Sequence, residues 1–280
     1  MQQNTPEWLE YRRTKIGASD CPTIMGVSPW STPYQLWLEK QGLKEPKAMT
    51  CFMQRGIDLQ DEALECFEKM TGLQMFTEIR VHPKYPFIIA SLDGITLDGQ
   101  HVVEIKCPGE KAHSIALSGK VPDYYMPQLQ HQMEVCGHEH MYYFSYDGEK
   151  GVVIDVYRDG EYAKKLIEKE IDFWQCMRDV VPPELSEKDC ARRDDFEWMS
   201  IAEQWAQSKQ NLKQFEDKEK ELRLRLIELC DEKNCMGGKA KACKSFRQGA
   251  IDYSLIPELK GVELNKYRKP VTISWRVTYV

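Results

Sequence analysis

The order of helical and strand signals along this 280-residue chain predicts an α/β (α+β) fold: a central mixed β-sheet flanked by helices, with a long helix and a β-hairpin appended. Three observations predict it. Helical periodicity runs up to Thr71, alternating apolar runs then recur to Tyr157 around a single helix, and the last third places apolar residues at helical spacing in a highly charged stretch.

Taken in order, helices are expected over Thr5–Lys15, Ser19–Met25, Thr32–Gln41 and Gly56–Thr71. A strand over Met75–Val81 leads into two more, Phe87–Leu92 and His101–Lys106, which the Asp98-Gly99 turn signal joins as a hairpin. A helix over Pro127–Val135, strands Met141–Tyr146 and Gly151–Tyr157, and a helix over Glu161–Val180 complete the core. Pro182-Pro183 then punctuates the chain, so residues 1–183 are expected to form one domain and 184–280 an extension. In that extension Ile201, Trp205, Leu212, Phe215, Leu222, Leu226 and Leu229 mark a long amphipathic helix. Met236-Gly237-Gly238 should end it, with strand-like segments at Ala242–Phe246 and Val271–Tyr279 closing a hairpin. The helix's apolar stripe suits packing on the core, joining subunits or touching nucleic acid.

Composition bounds the function. With 42% hydrophobic residues the chain can bury one good-sized core and an added element. No apolar run approaches membrane-spanning length and the MQQNTPEW start lacks signal-peptide organisation, so a cytoplasmic, membrane-free protein is expected. The ten cysteines form no repeating framework, which fits a reducing compartment without disulfides. Cys176, Cys190, Cys230, Cys235 and Cys243 lack the tight spacing of an iron–sulfur site. Cys136-Gly137-His138-Glu139-His140 lacks a second ligand pair for zinc and reads as a loop. Gly237-Gly238-Lys239 lacks the spacing of a nucleotide phosphate loop, which excludes an NTPase. A net charge of −6 requires any polyanion to be held by a local basic surface, for which Arg12, Arg13, Lys15, Lys111, Lys120, Arg192, Arg193, Lys239, Lys241 and Lys244 are candidates.

The chemistry concentrates in FIIASLDGITLDGQHVVEIKCPG. Strand alternation points Glu104 and Lys106 to one face and Ile105 into the core, where it offers only its carbonyl. Asp93 lies across the hairpin and supplies a second hard oxygen ligand suited to Mg²⁺, with Mn²⁺ as a substitute. Such a pair suits phosphodiester hydrolysis, which needs an activated water and neutralisation of the charge that develops on the leaving oxygen. Lys106 could orient or deprotonate that water or stabilise the transition state, and neighbouring cations could lower its pKa enough for base chemistry. The alternative is an ordinary hairpin with solvated charges. Upstream, Ser19 reads as a helix cap next to an anion site that Arg12 or Arg13 completes. Trp8 and Trp30 read as core aromatics, with stacking on a terminal base as the alternative. Gln128, Gln130 and Gln132 fall on one helix, and residues two apart do not face together, so one or two enter the site and an exposed polar face accounts for the rest.

Five motifs in fixed order from Trp8 to Phe144 carry a resemblance: WLEYRRTKIGASD, RGIDLQDEALECFEKMTG, SLDG, VVEIKCPG and YYMPQLQHQMEVCG. Together they resemble the lambda-type exonuclease, or YqaJ-type viral recombinase, family of the PD-(D/E)xK nuclease superfamily. The resemblance implies a restriction-endonuclease-like core in which Asp93, Glu104 and the Ile105 carbonyl bind metal, Lys106 is catalytic and Gln128 is the active-site glutamine. It also implies that Arg12 and Ser19 hold the 5′-terminal phosphate of DNA. Four positions after Gly56 the family carries a glutamate, or in distant members a histidine, as a further ligand; this chain has Gln60. A glutamine carbonyl brings no charge, so metal affinity should fall unless Asp58, Asp61 or Glu62 substitutes.

The implied function is a Mg²⁺-dependent 5′-to-3′ exonuclease that digests linear double-stranded DNA from 5′-phosphorylated ends and leaves 3′ single strands for recombination. A homotrimeric ring, a single-strand annealing protein as partner, and a phage or prophage origin in a bacterial cytoplasm are implied with it. Two other readings are a structure-selective endonuclease of the same superfamily and a catalytically lapsed DNA-end-binding module, to which Gln60 points and against which intact Asp93, Glu104 and Lys106 argue.

Overall fold

Thr5 opens the first helix by accepting the Trp8 N–H on its hydroxyl, while Pro6 occupies a first-turn position that needs no N–H. In the computed structural model, residues 5–45, 49–231, 233–244 and 256–257 are described. Contacts divide the chain into two units, Met1–Cys190 and Ala191–Val280.

The first unit begins with α1 (Pro6–Arg13), β1 (Ile16–Gly17), a 3-10 turn (Ala18–Asp20), α2 (Cys21–Ile24), α3 (Pro33–Lys40), α4 (Cys51–Asp58) and α5 (Gln60–Thr71). It continues through β2 (Phe76–Val81), β3 (Ile88–Ile95), β4 (Val102–Lys106), α6 (Glu110–Leu117), α7 (Met126–Cys136), β5 (His140–Tyr146), β6 (Gly151–Tyr157) and α8 (Gly160–Asp179). Its sheet is mixed, as the sequence predicts. β1 runs parallel to the start of β3, with Ile16 opposite Ile88, and β4 runs parallel to β5. The β2–β3, β3–β4 and β5–β6 pairs are antiparallel.

Alternation along β4 sorts its side chains between two faces. Val103 and Ile105 join Phe67 of α5 and Phe144 of β5 in one apolar cluster. Val102 belongs to the other, with Leu129 and Met133 of α7 and Ile88 and Leu92 of β3. Phe67 is fully buried and meets Phe144 edge-on at 5.4 Å, so truncating it to alanine would cost about 3–5 kcal/mol. Glu104 points to the α7 side, which decides what surrounds it.

In the first unit the structure departs from the sequence expectations in five places. The helix over Gly56–Thr71 is two helices that meet at Leu59, and the break puts Gln60 at the first position of α5. Ser19 does not cap a helix; it lies inside the 3-10 turn, and the Asp20 carboxylate accepts the Gly17 N–H instead. β1 and α6 are additions, the first too short and the second too weakly periodic to read. Trp30 is 62% exposed rather than core, whereas Trp8 is buried. All of Gln128, Gln130 and Gln132 are buried, so no exposed polar face exists on that side of α7.

The second unit holds α9 (Phe196–Glu228), capped by Asp195, and a hairpin of β7 (Cys235–Gly237) and β8 (Ala240–Ala242). Gly238-Lys239 therefore turns the hairpin, with Gly237 in β7 and Gly238 at φ 56°, so Met236-Gly237-Gly238 belongs to the hairpin instead of ending the helix. The strand expected at Val271–Tyr279 lies outside the described residues, as do positions 245 and 246. Among the described residues no helix is long and apolar enough to cross a membrane.

Candidate active site

The β3–β4 ladder pairs Gly94 with Val103 and Ile95 with Val102, then stops. At the next step the Asp93 carboxylate takes over, its Oδ2 accepting the Ile105 N–H at 2.9 Å. One side-chain hydrogen bond thus replaces a ladder bond and holds the two strands apart where Asp93 and Glu104 face each other. Glu104 is 2% exposed. Its two oxygens are fully engaged: Lys106 Nζ and Gln128 Nε2 both lie 2.5 Å from Oε1, and Gln132 Nε2 lies 2.5 Å from Oε2. Gln128 and Gln132 are four apart on α7 and so share a face. Gln130, between them, turns away to the Tyr157 carbonyl and the Asp159 N–H.

Burial, and then the facing Glu104 carboxylate, push the Asp93 carboxyl up to about 7. Burial alone would pull Lys106 down, but Glu104 and then Asp93 outweigh it and hold the ammonium above its ordinary range. The protein's own charged groups beside Lys106 are carboxylates. Lys106 also lies 5.4 Å above the Tyr125 ring.

Gln60 reaches this centre from α5, with Nε2 3.3 Å from Asp93 Oδ1. The nearby acids do not take its place. Asp58 accepts from Gln54 and Glu62 accepts from the Tyr146 hydroxyl at 2.5 Å. Asp61 is exposed.

The parallel β1–β3 pairing brings the N-terminal motif to the same place. Arg12 donates to Ser19 Oγ and lies 3.6 Å from Asp20 Oδ1. Asp20 is buried against Lys40 Nζ at 2.6 Å, and Lys40 also donates to the Arg12 and Lys15 carbonyls. Burial pushes the Asp20 carboxyl up, yet Lys40, and then Arg12, hold it below its ordinary value. A cavity of about 140 Å³ opens between the two groups, lined by Trp8, Arg12, Ser19, Ser91, Asp93, Glu104 and Gln128 among others. Its two ends differ in charge: a guanidinium with a hydroxyl on one side, two carboxylates on the other.

The donor set fits a hard divalent cation. The carboxylates of Glu104, buried, and Asp93, half-buried, repel each other without one, and the Gln60 amide beside them carries a neutral oxygen of the kind such ions accept once the amide turns over.

A second donor cluster escaped the sequence reading. Cys21 Sγ and His131 Nδ1 are 3.1 Å apart, Cys21 Sγ and Glu170 Oε1 3.1 Å, and His131 Nδ1 and Glu170 Oε1 2.8 Å, close enough to share a metal ion. His131 Nε2 is fixed on the Ile89 carbonyl at 2.9 Å. Sulfur and nitrogen donors suit a softer ion than Mg²⁺. The three residues come from α2, α7 and α8, all are buried, and none lines the cavity. Burial, and then Glu170, raise the Cys21 thiol, whereas His131 is raised because Glu170 outweighs its burial.

Comparison with known proteins agrees with this architecture. Residues 7–139 match the YqaJ-like viral recombinase domain. An uncharacterized protein, YqaJ, of Bacillus subtilis (strain 168) is 30% identical over 181 residues, which cover 62% of this chain and 56% of that protein. The chain thus spans little more than half the length of that relative. Among solved structures, the alkaline exonuclease LHK-Exo of Laribacter hongkongensis has a TM-score of 0.56 at 24% identity, covering 63% of this chain and 94% of its own. The same enzyme in complex with dAMP gives a TM-score of 0.54 at 22% identity, with the same coverage. At that identity the likeness concerns the fold: a mixed sheet flanked by helices. The domain match spans the strand pair that carries Asp93 and Glu104, so residues 7–139 of the chain form a YqaJ-like viral recombinase domain.

Proposed function

We propose that the chain is a metal-dependent nuclease that digests double-stranded DNA in the 5′-to-3′ direction from 5′-phosphorylated ends. One observation carries the reading: a single cavity joins the Arg12–Ser19 pair to the Asp93–Glu104 pair. A terminal phosphate seated on Arg12 and Ser19 would set the next phosphodiester beside the carboxylates, and that spacing would define both the end requirement and the polarity. Residues 1–183 would be the catalytic domain and 184–280 its extension.

Asp93, Glu104, Gln60 and the Ile105 carbonyl would hold Mg²⁺, or Mn²⁺ in its place, which when bound lowers the pKa of water and neutralises phosphoryl charge. Lys106, whose Nζ lies 2.5 Å from Glu104 Oε1, would orient the attacking water or stabilise the charge that develops on phosphate. Gln128 and Gln132 hold the Glu104 carboxylate in one orientation, which fixes the geometry before substrate arrives. Gln128 also lines the cavity.

End-labelled linear duplex, with and without a 5′ phosphate, tests this reading in Mg²⁺ or EDTA against Lys106→Ala. Loss of the phosphorylated strand from its 5′ end, dependent on Mg²⁺ and abolished by the substitution, is the expected result. A covalently closed circle should survive; its cleavage would favour the structure-selective endonuclease. Binding of ends without digestion in either metal would make Gln60 the mark of a lapsed site. The homotrimeric ring and the single-strand annealing partner belong to the same proposal, and sedimentation with and without DNA checks the first.

A further inference from the structure

The segment between α2 and α3 carries Trp30, whose indole is 62% exposed. It meets Tyr124 edge-on with ring centroids 4.9 Å apart, and Tyr124 meets Tyr125 in the same manner at 4.5 Å. Tyr125 is the ring below Lys106 Nζ, 5.4 Å away. An unbroken aromatic run therefore leads from the candidate catalytic lysine out to solvent. Tyr124 and Tyr125 sit on the turn that enters α7, the helix whose Gln128 and Gln132 grip Glu104, so the run is anchored to the site's own scaffold.

We propose that Trp30, backed by Tyr124, is a stacking platform for a base of the cleaved strand, within about four nucleotides of the scissile bond. The proposal rests on the nuclease reading and adds to it where the strand beyond the site is held. The successive spacings of 5.4, 4.5 and 4.9 Å place Trp30 less than five base rises of about 3.4 Å from Lys106. An indole is the side chain with the largest π-face, and stacking on it tolerates any base, as an enzyme that consumes arbitrary sequence requires. Charge points the same way. With a net charge of −6 the chain gains little from bulk attraction to a polyanion, so contacts that do not depend on phosphate must contribute to holding the strand.

The test pairs Trp30 with the base it would stack on. Linear duplexes with a 5′ phosphate carry one abasic nucleotide at each of the first five positions of the cleaved strand in turn, and single-turnover digestion and end binding in Ca²⁺ are followed for wild type, Trp30→Ala and Trp30→Phe. Wild type should bind one of these abasic duplexes roughly 5- to 150-fold more weakly than intact DNA, the range expected for loss of one base–aromatic stack. Trp30→Ala should bind intact DNA more weakly by a similar factor and lose the discrimination, while Trp30→Phe keeps part of both. Because Trp30 is largely in solvent and loses only its edge contact with Tyr124, thermal melting should fall by no more than a few degrees. Equal discrimination by wild type and Trp30→Ala would overturn the platform even if digestion proceeds normally. So would a change of oligomeric state in Trp30→Ala with DNA binding intact, since the patch would then be a protein contact. Failure of wild type to digest any duplex would instead sink the nuclease reading, and the Ca²⁺ binding comparison would still decide the platform.

Discussion

Gln132 Nε2 donates to Glu104 Oε2 at 2.5 Å, on the oxygen opposite the one shared by Gln128 and Lys106. Gln132 does not line the cavity, so it acts through Glu104. Removing the donor while keeping the bulk, as in Gln132→Leu, leaves a buried carboxylate oxygen unpartnered and free to rotate. The expected result is a 10- to 100-fold loss of metal affinity, read as a rise in the Mg²⁺ concentration for half-maximal digestion. Isothermal titration with Mg²⁺ checks it without substrate, and Gln132→Asn should not restore binding because the shorter amide cannot reach.

Gln60→Glu gives the opposite trade. The new carboxylate would face Asp93, which burial and Glu104 already push up to about 7. A carboxyl raised above its unfolded value costs the fold stability as pH rises from its unfolded pKa through its folded one, so a third acid deepens that cost at pH 8 more than at pH 6. In EDTA at pH 8 the variant should melt a few degrees below wild type, a shift of roughly 2–4 °C per kcal/mol. With Mg²⁺ the order should reverse, because the added charge raises cation affinity. Differential scanning fluorimetry across a Mg²⁺ series separates the two; a variant that melts lower at every concentration would remove Gln60 from the metal centre.

Asp20 supports the anion pocket from below, and its ion pair with Lys40 has side chains only 8% and 7% exposed. Its pKa is held below the ordinary value, so its contribution is fully present above about pH 4 and is lost as pH falls through the lower folded value. Asp20→Asn should flatten the acid limb of the stability curve. At neutral pH it should cost about 3–5 kcal/mol, since Lys40 is left as a buried charge without its partner. Urea melts of both proteins between pH 3 and 7 measure this. Arg12 also loses its anchor, so the preference for a 5′ phosphate should weaken together with stability.

Much of this arrangement is legible in the chain, for reasons that can be traced. The alternation in VVEIK fixes Val103 and Ile105 inward and Glu104 and Lys106 to the other side, and the structure places them so. Helical spacing says that not all three glutamines face the site, and the resemblance alone singles out Gln128; their burial is not legible, because nothing in QLQHQ announces that α8 and β6 will cover the outer side. β1 is two residues long and carries no periodicity, yet its parallel pairing with β3 is what joins Arg12 and Ser19 to Asp93. The Cys21–His131–Glu170 cluster unites three helices, a coincidence in space that no local spacing encodes. Residue type alone assigns Trp30 to the core; SPWSTP holds no pattern that says which way an indole faces.

Gly94 shows how closely packing and site are joined. A Cβ at this position would lie 2.8 Å from Val103 Cγ1 and 2.9 Å from Met75 Cβ, both too close for any real contact. Gly94→Ala must therefore push β3 away from one neighbour or the other, at about 1–3 kcal/mol. Asp93 is the next residue, and its bond to the Ile105 N–H depends on the strand separation that such a shift changes. The substitution should lower the melting temperature and also raise the Mg²⁺ requirement, whereas an equally destabilising Phe67→Val should change only the first. Adding Val103→Ala removes the Cγ1 clash but not the contact with Met75 Cβ, so the double variant should regain part of both losses and not all. Full recovery would mean that Val103 alone sets the approach of the two strands; no recovery would mean that Met75 does.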